Sequence, residues 1–202
     1  MRLRILTAGS LLLFACVAQA EDRMARTDDP MTSSAASIWE RAAAEAPTTL
    51  LVVGDNAPGF SYLAPDGKWH PFSEIFSRGP VLLLFGAKAT DLEGIMRTRA
   101  AFAELAITPA IVVQGRAVSN AAGRTGFAYP IIRDPMGVIA DLFNARDART
   151  LQQIPAYFVL DQERKIRAVH RGSLPTAAQL LAVSARTLGR PLPESAISST
   201  EE

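Results

Sequence analysis

Four polar residues that could do chemistry follow one apolar run of the sequence. The run is Val81-Leu82-Leu83-Leu84-Phe85, and the residues that follow it include Lys88, Thr90, Asp91 and Glu93. A lysine before a helix can bind an anion, a threonine beside a base can act as a nucleophile, and carboxylates can hold a metal. An apolar run without alternation is typical of a strand buried on both faces. These side chains are therefore expected at the carboxyl end of a strand, where α/β sheets place their sites.

The acidic residues have a simpler structural interpretation. A carboxylate metal site or an acid–base pair would draw on Asp91, Glu93, Asp134 and Asp161. Each of them is explained separately, either as an acid at a helix start or as a turn residue, because a negative charge stabilises the N-terminus of a helix. Asp134 in particular is expected to be the N-cap of the helix that follows it.

The remaining candidates are also weak. His70 and His170 are far apart in sequence and lack the spacing of a helical pair of metal ligands. Thr90 has no predictable base within reach, and Lys88 is interpreted as a solvated lysine rather than an anion site. The sequence therefore predicts no metal, no cofactor and no catalytic residue.

The one cysteine of the sequence, Cys16, lies in a leader. Residues 1–20 contain Arg2 and Arg4, then an apolar run, then Ala18-Gln19-Ala20, which are the three regions of a secretory signal peptide. Cleavage after Ala20 would leave a mature chain without a thiol. Such a chain cannot perform disulfide exchange or thiol peroxidase chemistry, and it cannot build a cysteine-ligated metal site.

The leader predicts a periplasmic or otherwise exported protein. An alternative is a lipoprotein signal at Leu13-Phe14-Ala15-Cys16, with Cys16 acylated and the protein tethered to a membrane. Phe14 fits that signal poorly, whereas the Ala-x-Ala site fits cleavage well, so the soluble form is favoured.

The charge balance excludes some classes of partner. Removing the leader leaves 19 basic and 20 acidic residues, a net charge of −1. That balance gives no electrostatic case for nucleic acid or anionic lipid. No later apolar run approaches the ~20 residues that a membrane helix needs, so no transmembrane segment is expected in the mature chain.

Periodicity predicts alternating strands and helices. Residues 81–85 and 109–114 are expected to be parallel buried strands joined by an amphipathic helix over 91–106, and residues 156–160 and 166–170 are expected to form an antiparallel pair. Pro65-Asp66-Gly67 predicts a hairpin turn before them. The expected domains are a signal peptide at 1–20, a flexible linker at 21–36, a folded domain at 37–190 and a polar tail at 191–202. A capping box of Ser37 and Glu40 is expected to open the domain with a short helix.

Three segments resemble the thioredoxin superfamily, in particular its peroxiredoxin/redoxin (AhpC/TSA-type) branch and its periplasmic TlpA-like branch. They are the Gly-x-x-Ala-Pro-x-Phe stretch at 54–60, the Phe-to-Gly stretch at 127–137 with the helix after it, and Ile154-Pro155-Ala156-Tyr157-Phe158-Val159-Leu160-Asp161. The resemblance implies an α/β, thioredoxin-like fold with a central mixed β-sheet flanked by helices on both faces.

The resemblance also implies a site whose chemistry is missing. On the Cys-x-x-Cys pattern, the two cysteine places fall on Thr90 and Glu93, and on the peroxiredoxin pattern the reactive cysteine falls on Gly94 or a neighbour. The superfamily holds a cis-proline beside this turn, and here Pro155 occupies its place. The groove between the turn at residues 86–92 and the Ile154-Pro155 segment is therefore predicted to bind an extended partner segment through main-chain pairing.

These observations favour a non-redox binding or assembly factor in the cell envelope, whose partner is another exported protein. One alternative is a redoxin-family oxidoreductase or antioxidant protein that acts with a partner's thiol or a cofactor. A lipid-tethered interaction module is the third, and only Cys16 suggests it.

Overall fold

The computed structural model describes residues 50–64, 67–115, 120 and 126–197. The predicted helix at Ser37 and the predicted linker lie outside these residues, as does the hairpin turn at Pro65 and Asp66.

Five helices and seven strands follow one another in the described ranges. The strands are β1 (Ser61–Leu63), β2 (Trp69–Pro71), β3 (Val81–Phe85), β4 (Thr108–Val113), β5 (Ile131–Arg133), β6 (Ala156–Leu160) and β7 (Ile166–Arg171). The helices are α1 (Ala89–Arg97), α2 (Arg99–Glu104), α3 (Val138–Leu142), α4 (Ala177–Thr187) and α5 (Glu194–Ile197), and a 3-10 helix spans Phe72–Arg78.

The main sheet has five strands in the order β5-β4-β3-β6-β7. Strand β3 pairs in parallel with β4, so that Leu82 faces Pro109 and Phe85 faces Val112. On its other side β3 pairs antiparallel with β6, which in turn pairs antiparallel with β7. The parallel and antiparallel strand pairs predicted from the sequence are therefore confirmed.

Strand β3 is completely buried, and its side chains alternate between two apolar clusters. Val81, Leu83 and Phe85 pack with the 3-10 helix, α3 and the β1–β2 hairpin. Leu82 and Leu84 pack on the opposite face with α1, α2 and α4. A strand covered on both faces needs apolar residues at every position, which is why the run lacks alternation.

The helix predicted over residues 91–106 is divided in two. Helix α1 begins two residues earlier than predicted, and Thr98 separates it from α2. The Thr98 hydroxyl donates to the Gly94 carbonyl at 3.0 Å. Threonine side chains that bond back to the preceding turn bend helices, which gives the interruption a local cause.

The C-terminal region contains two helices, and one of them lies in the predicted polar tail. Helix α4 begins after Thr176, whose hydroxyl accepts the Gln179 N–H in a capping box. The tail predicted from residue 191 contains the helical turn α5. In the part of the chain that the structure describes, no helix has the length and apolar character needed to cross a membrane.

Candidate functional site

The site predicted from the sequence lies where β3 ends. Gly86 follows the strand with a φ of +64°, a conformation that costs an L-residue about 1–2 kcal/mol. A Cβ at this position would lie 2.9 Å from the Pro155 nitrogen and 3.1 Å from the Ile154 carbonyl carbon. The turn and the Ile154 segment therefore meet backbone to backbone, as the resemblance implies, and only glycine fits between them.

The start of α1 is stabilised by one of its own carboxylates. The Asp91 Oδ2 accepts the Lys88 N–H at 2.7 Å, which is half of a capping box. The other half cannot form, because a lysine side chain has no hydrogen-bond acceptor. Asp91 therefore places a negative charge at the helix N-terminus, where a reactive thiolate or a bound anion would otherwise be stabilised.

The other residues of this turn are presented to solvent. Lys88, Thr90 and Glu93 are all exposed. The two histidines contact other residues: His70 Nδ1 lies 2.8 Å from Glu74 Oε2, and the His170 ring stacks on Tyr157. Within the described ranges, no group of three or more histidine, cysteine or acidic residues could hold a metal ion. Neither histidine is therefore placed to activate a nucleophile in the turn.

The segment opposite the turn differs from the predicted groove in two respects. The bond between Ile154 and Pro155 is trans, since the described residues contain no cis peptide bond. The trans isomer is the intrinsically favoured one, by about 0.5–1 kcal/mol. In addition, the Ile154 N–H donates to the Ala145 carbonyl at 3.0 Å, and the Pro155 carbonyl accepts the Gly172 N–H at 2.8 Å. Both groups are therefore bonded within the fold.

A pair of glutamines, not predicted from the sequence, connects the turn to the ends of neighbouring elements. Gln153 Oε1 accepts the Gly86 N–H at 3.3 Å. The Gln153 N–H donates to Gln114 Oε1 at 3.1 Å, and Gln114 Nε2 donates to the Leu151 carbonyl at 3.0 Å. The network thus joins the end of β3, the end of β4 and the loop before β6. Isolated glutamines in loops have no sequence signature, so only the structure reveals this arrangement.

Asp134 is fully buried just beyond β5, at the same edge of the sheet. Its Oδ2 accepts the Ala140 N–H at 2.9 Å, so it stabilises the start of α3, although the N-cap residue itself is Gly137. Burial raises the pKa of the Asp134 carboxyl, while the N–H groups of Ala140, Ile139 and Val138 act in the opposite direction. The prediction that Asp134 is the N-cap residue is therefore wrong, but its carboxylate does bond to the first turn of α3, in a much drier environment than a helix-start acid usually has.

The other residues named from the sequence are dispersed. Asp161 accepts the Lys165 N–H and pairs with Arg167 at 2.6 Å, in the turn between β6 and β7. Trp69 lies on the separate β1–β2 sheet, opposite Leu63. Tyr157 is buried in the same apolar cluster as Leu92 of α1. The carboxylates therefore do not converge on one site.

Arg171 stabilises the chain that leads into the loop before β6. Its guanidinium group donates to the carbonyl oxygens of Leu51, Phe143 and Asn144 at 3.1 Å each. It also lies over the Phe158 ring. Burial lowers the pKa of Arg171. Three carbonyl partners keep this cation hydrogen-bonded, so its role is structural.

Two open cavities lie at the opposite end of the sheet. One, of about 380 Å³, is lined by residues that include His70, Glu74 and Thr108. The other, of about 430 Å³, is lined by residues that include Pro80, Asp161 and Arg190. Neither is lined by residues 86–93 or by Pro155.

Solved structures with this fold include several peroxide-related proteins. The chain is similar to peroxidoxin BcpB from Mycobacterium tuberculosis, with 23% identity and a TM-score of 0.59 over 68% of this chain and 96% of that one. It is also similar to AhpC from Enterococcus faecalis, with 18% identity and a TM-score of 0.60 over 69% of this chain and 94% of that one. These likenesses confirm the thioredoxin-like, peroxiredoxin-type fold.

The sequence of the chain also matches a protein family. No curated protein matches the chain. The AhpC/TSA family model, in contrast, matches residues 53–169, which include the β1–β2 hairpin, the turn after β3 and the paired strands β6 and β7. The matched region is more than half of the chain, and the protein therefore belongs to the AhpC/TSA family.

Proposed function

We propose that the protein is an exported binding or assembly factor of the cell envelope, which retains the AhpC/TSA fold without thiol chemistry. The observation that carries the proposal is the turn at residues 86–93. It occupies the edge where the family resemblance places a reactive cysteine, and it contains none. A thiolate is the nucleophile of both disulfide exchange and thiol peroxidase chemistry.

The electrostatics of the turn support the same conclusion. A reactive cysteine gains from the positive end of a helix, which lowers its pKa. Here the Asp91 carboxylate already accepts the Lys88 N–H at that end. A second negative charge beside it would be disfavoured, so the turn is suited to presenting Lys88 to a partner rather than to generating a thiolate.

The proposed partner is another exported protein, and side chains rather than backbone recognise it. Pairing with an extended partner strand requires free main-chain groups. The Ile154 N–H and the Pro155 carbonyl are instead bonded to Ala145 and Gly172. This arrangement favours recognition by Lys88 and by the other exposed side chains of the same edge.

The export part of the proposal depends on the leader. A secretory signal ending at Ala20 would release a periplasmic protein, whereas acylation of Cys16 would leave it attached to a membrane. Cell fractionation of the full chain with a C-terminal tag separates these outcomes. We expect the tagged protein in the soluble periplasmic fraction, shortened by the leader, and recovery of the full-length chain in the cytoplasm would contradict export.

The binding part is tested by quantitative recovery of a partner from periplasmic extract. Lys88→Glu should reduce recovery by about tenfold, the effect of losing about 1.4 kcal/mol of binding free energy. Lys165→Glu is the matched control, because Lys165 is an equally exposed lysine in the turn between β6 and β7. Equal recovery by the wild type and by both folded variants would place the working surface elsewhere.

A further inference from the structure

We propose that a second part of this edge binds a short partner segment carrying an apolar side chain and acidic residues. We call it the Leu151 surface, and it consists of Arg133, Met136, Arg149 and Leu151. The inference rests on the proposed partner-binding function and names the surface and the chemistry through which binding occurs.

Leu151 is the residue that first points to this surface. Its φ is +57°, in the left-handed region, and its side chain is 53% exposed. Glycine or asparagine adopts this backbone more easily than leucine does. With 53% of the leucine exposed, burial offsets this strain only in part, and an exposed strained residue is often explained by function.

The strained conformation is held firmly. The Leu151 N–H donates to the Asp147 carbonyl at 2.9 Å. The Leu151 carbonyl accepts two side-chain hydrogen bonds, from Gln114 Nε2 and from Arg146 Nε, both at 3.0 Å. The loop therefore presents the leucine side chain in a fixed position, which lowers the entropy cost of binding a partner.

Arg146 links Leu151 to a second exposed apolar residue, Met136, which is 68% exposed. The Arg146 side chain packs against Gly137, the next residue, where an added Cβ would lie 2.8 Å from the guanidinium carbon. Met136 and Leu151 therefore flank one arginine. Methionine is flexible and polarizable and adapts to different partner side chains, which suits the edge of a binding surface.

The charges of this surface indicate an acidic partner. Two acids of this region are already hydrogen-bonded: Asp141 pairs with Arg146 at 2.6 Å, and Asp147 accepts the N–H groups of Arg149 and Thr150. Arg133 and Arg149 are exposed, and neither has a carboxylate partner within the ranges that the structure describes. Unpaired arginines beside exposed apolar side chains favour a segment with the complementary carboxylates.

The test uses a defined peptide and a substitution that separates binding from folding. The probe is an acetylated hexapeptide that alternates leucine and glutamate, titrated into the mature protein while amide chemical shifts are followed. We expect the largest shifts at Met136 and Leu151. Leu151→Asn should weaken binding about fivefold, the loss expected for an apolar side chain that is only partly buried by a ligand.

The same substitution should raise the melting temperature by about 2–4 °C, because asparagine relieves the left-handed strain. Leu192→Asn, at a leucine that is 43% exposed and has no positive φ, should leave peptide binding unchanged and should not raise the melting temperature. A structural role for Leu151 would instead appear as a lower melting temperature and would overturn the proposal.

Other outcomes distinguish this inference from the general function. A leucine–lysine hexapeptide should bind at least several-fold more weakly, and equal binding would overturn the charge argument. Shifts confined to residues 86–92 would reject the Leu151 surface while leaving partner binding at Lys88 in place. Spectra that change with protein concentration alone would identify a second copy of the chain as the occupant and would also overturn the proposal.

Discussion

The turn after β3 and the loop before β6 meet at one edge of the sheet, yet they differ in how sequence and structure describe them. The turn, residues 86–93, is recognisable from the family pattern, and its side chains are largely exposed. The loop, residues 146–153, has no recognisable motif and is held by a dense set of side-chain hydrogen bonds. Neighbouring structure thus keeps this edge well ordered around a turn that contains no cysteine.

The largest effect on stability should come from a substitution at Gly86, where the turn and the loop are in contact. Gly86→Ala should destabilise the fold by about 3 kcal/mol, combining left-handed strain with a clash against the Pro155 backbone. Gly189→Ala is the matched control, because Gly189 has the same φ of +64° with no atom near the added Cβ. Gly189→Ala should lower the free energy of unfolding by about 1 kcal/mol. Urea unfolding measures both values, and equal costs would show that the backbone contact has no energetic role.

Replacing Gln153, which joins the turn to the loop, should have the next largest effect on stability. Gln153→Leu removes the acceptor of the Gly86 N–H and should cost about 1–2 kcal/mol. Gln153→Glu keeps an acceptor oxygen, and it also replaces Nε2, a buried donor without a partner among the described residues. The two variants have similar volumes, and at about pH 3, below the ordinary glutamate pKa of about 4.3, neither side chain is charged, so their difference in urea unfolding at that pH reports the hydrogen bond. A glutamate variant as unstable as the leucine variant would argue against it.

The stability costs of replacing Asp134 and Asp147 with asparagine should change with pH in opposite directions. Burial raises the pKa of Asp134 above its ordinary 3.8, so ionisation lowers wild-type stability as the pH rises from 3.8 to the raised pKa. Asparagine cannot ionise. The cost of Asp134→Asn, about 1 kcal/mol at low pH, should therefore shrink across that window.

For Asp147, hydrogen bonds from Thr150 and Arg149 lower the pKa below 3.8. Its stabilising contribution is therefore present above pH 3.8 and is lost as the pH falls through the lowered pKa. The cost of Asp147→Asn should grow as the pH rises through that range. Thermal unfolding at several pH values measures both trends, and the same trend for both acids would contradict the burial argument.

The smallest effect concerns the charge at the start of α1. In Thr90→Cys, the thiol pKa should stay near its ordinary value of about 8.5, because Asp91 opposes a second negative charge. Adding Asp91→Ser should lower that pKa by about half a pH unit, the size of one charge at a helix end. The pH dependence of alkylation by iodoacetamide reports the thiolate. A thiol pKa below 7 with Asp91 present would show that the turn still favours thiol chemistry.

Much of the fold could be predicted because its signals are local. The apolar run at β3 and the Ile-Pro-Ala-Tyr-Phe stretch at the start of β6 each identify an element from a few adjacent residues. The interruption at Thr98 and the full burial of Asp134 depend on packing from distant segments, so periodicity could not reveal them. At the site, the sequence located the turn and the absence of cysteine. It missed Gln114, Gln153 and the strained Leu151, because their significance comes from contacts across the sheet edge.

The measurement that tests the central claim most directly is turnover by the purified mature protein, without tag or cofactor, supplied with hydrogen peroxide and dithiothreitol or with insulin. We expect peroxide consumption and insulin reduction no faster than in a blank without protein, because a chain cleaved after Ala20 has no thiolate. Turnover that is proportional to protein concentration and is abolished by Lys88→Glu would contradict the account. That result would support the alternative, a redoxin-family enzyme whose chemistry does not depend on its own cysteine.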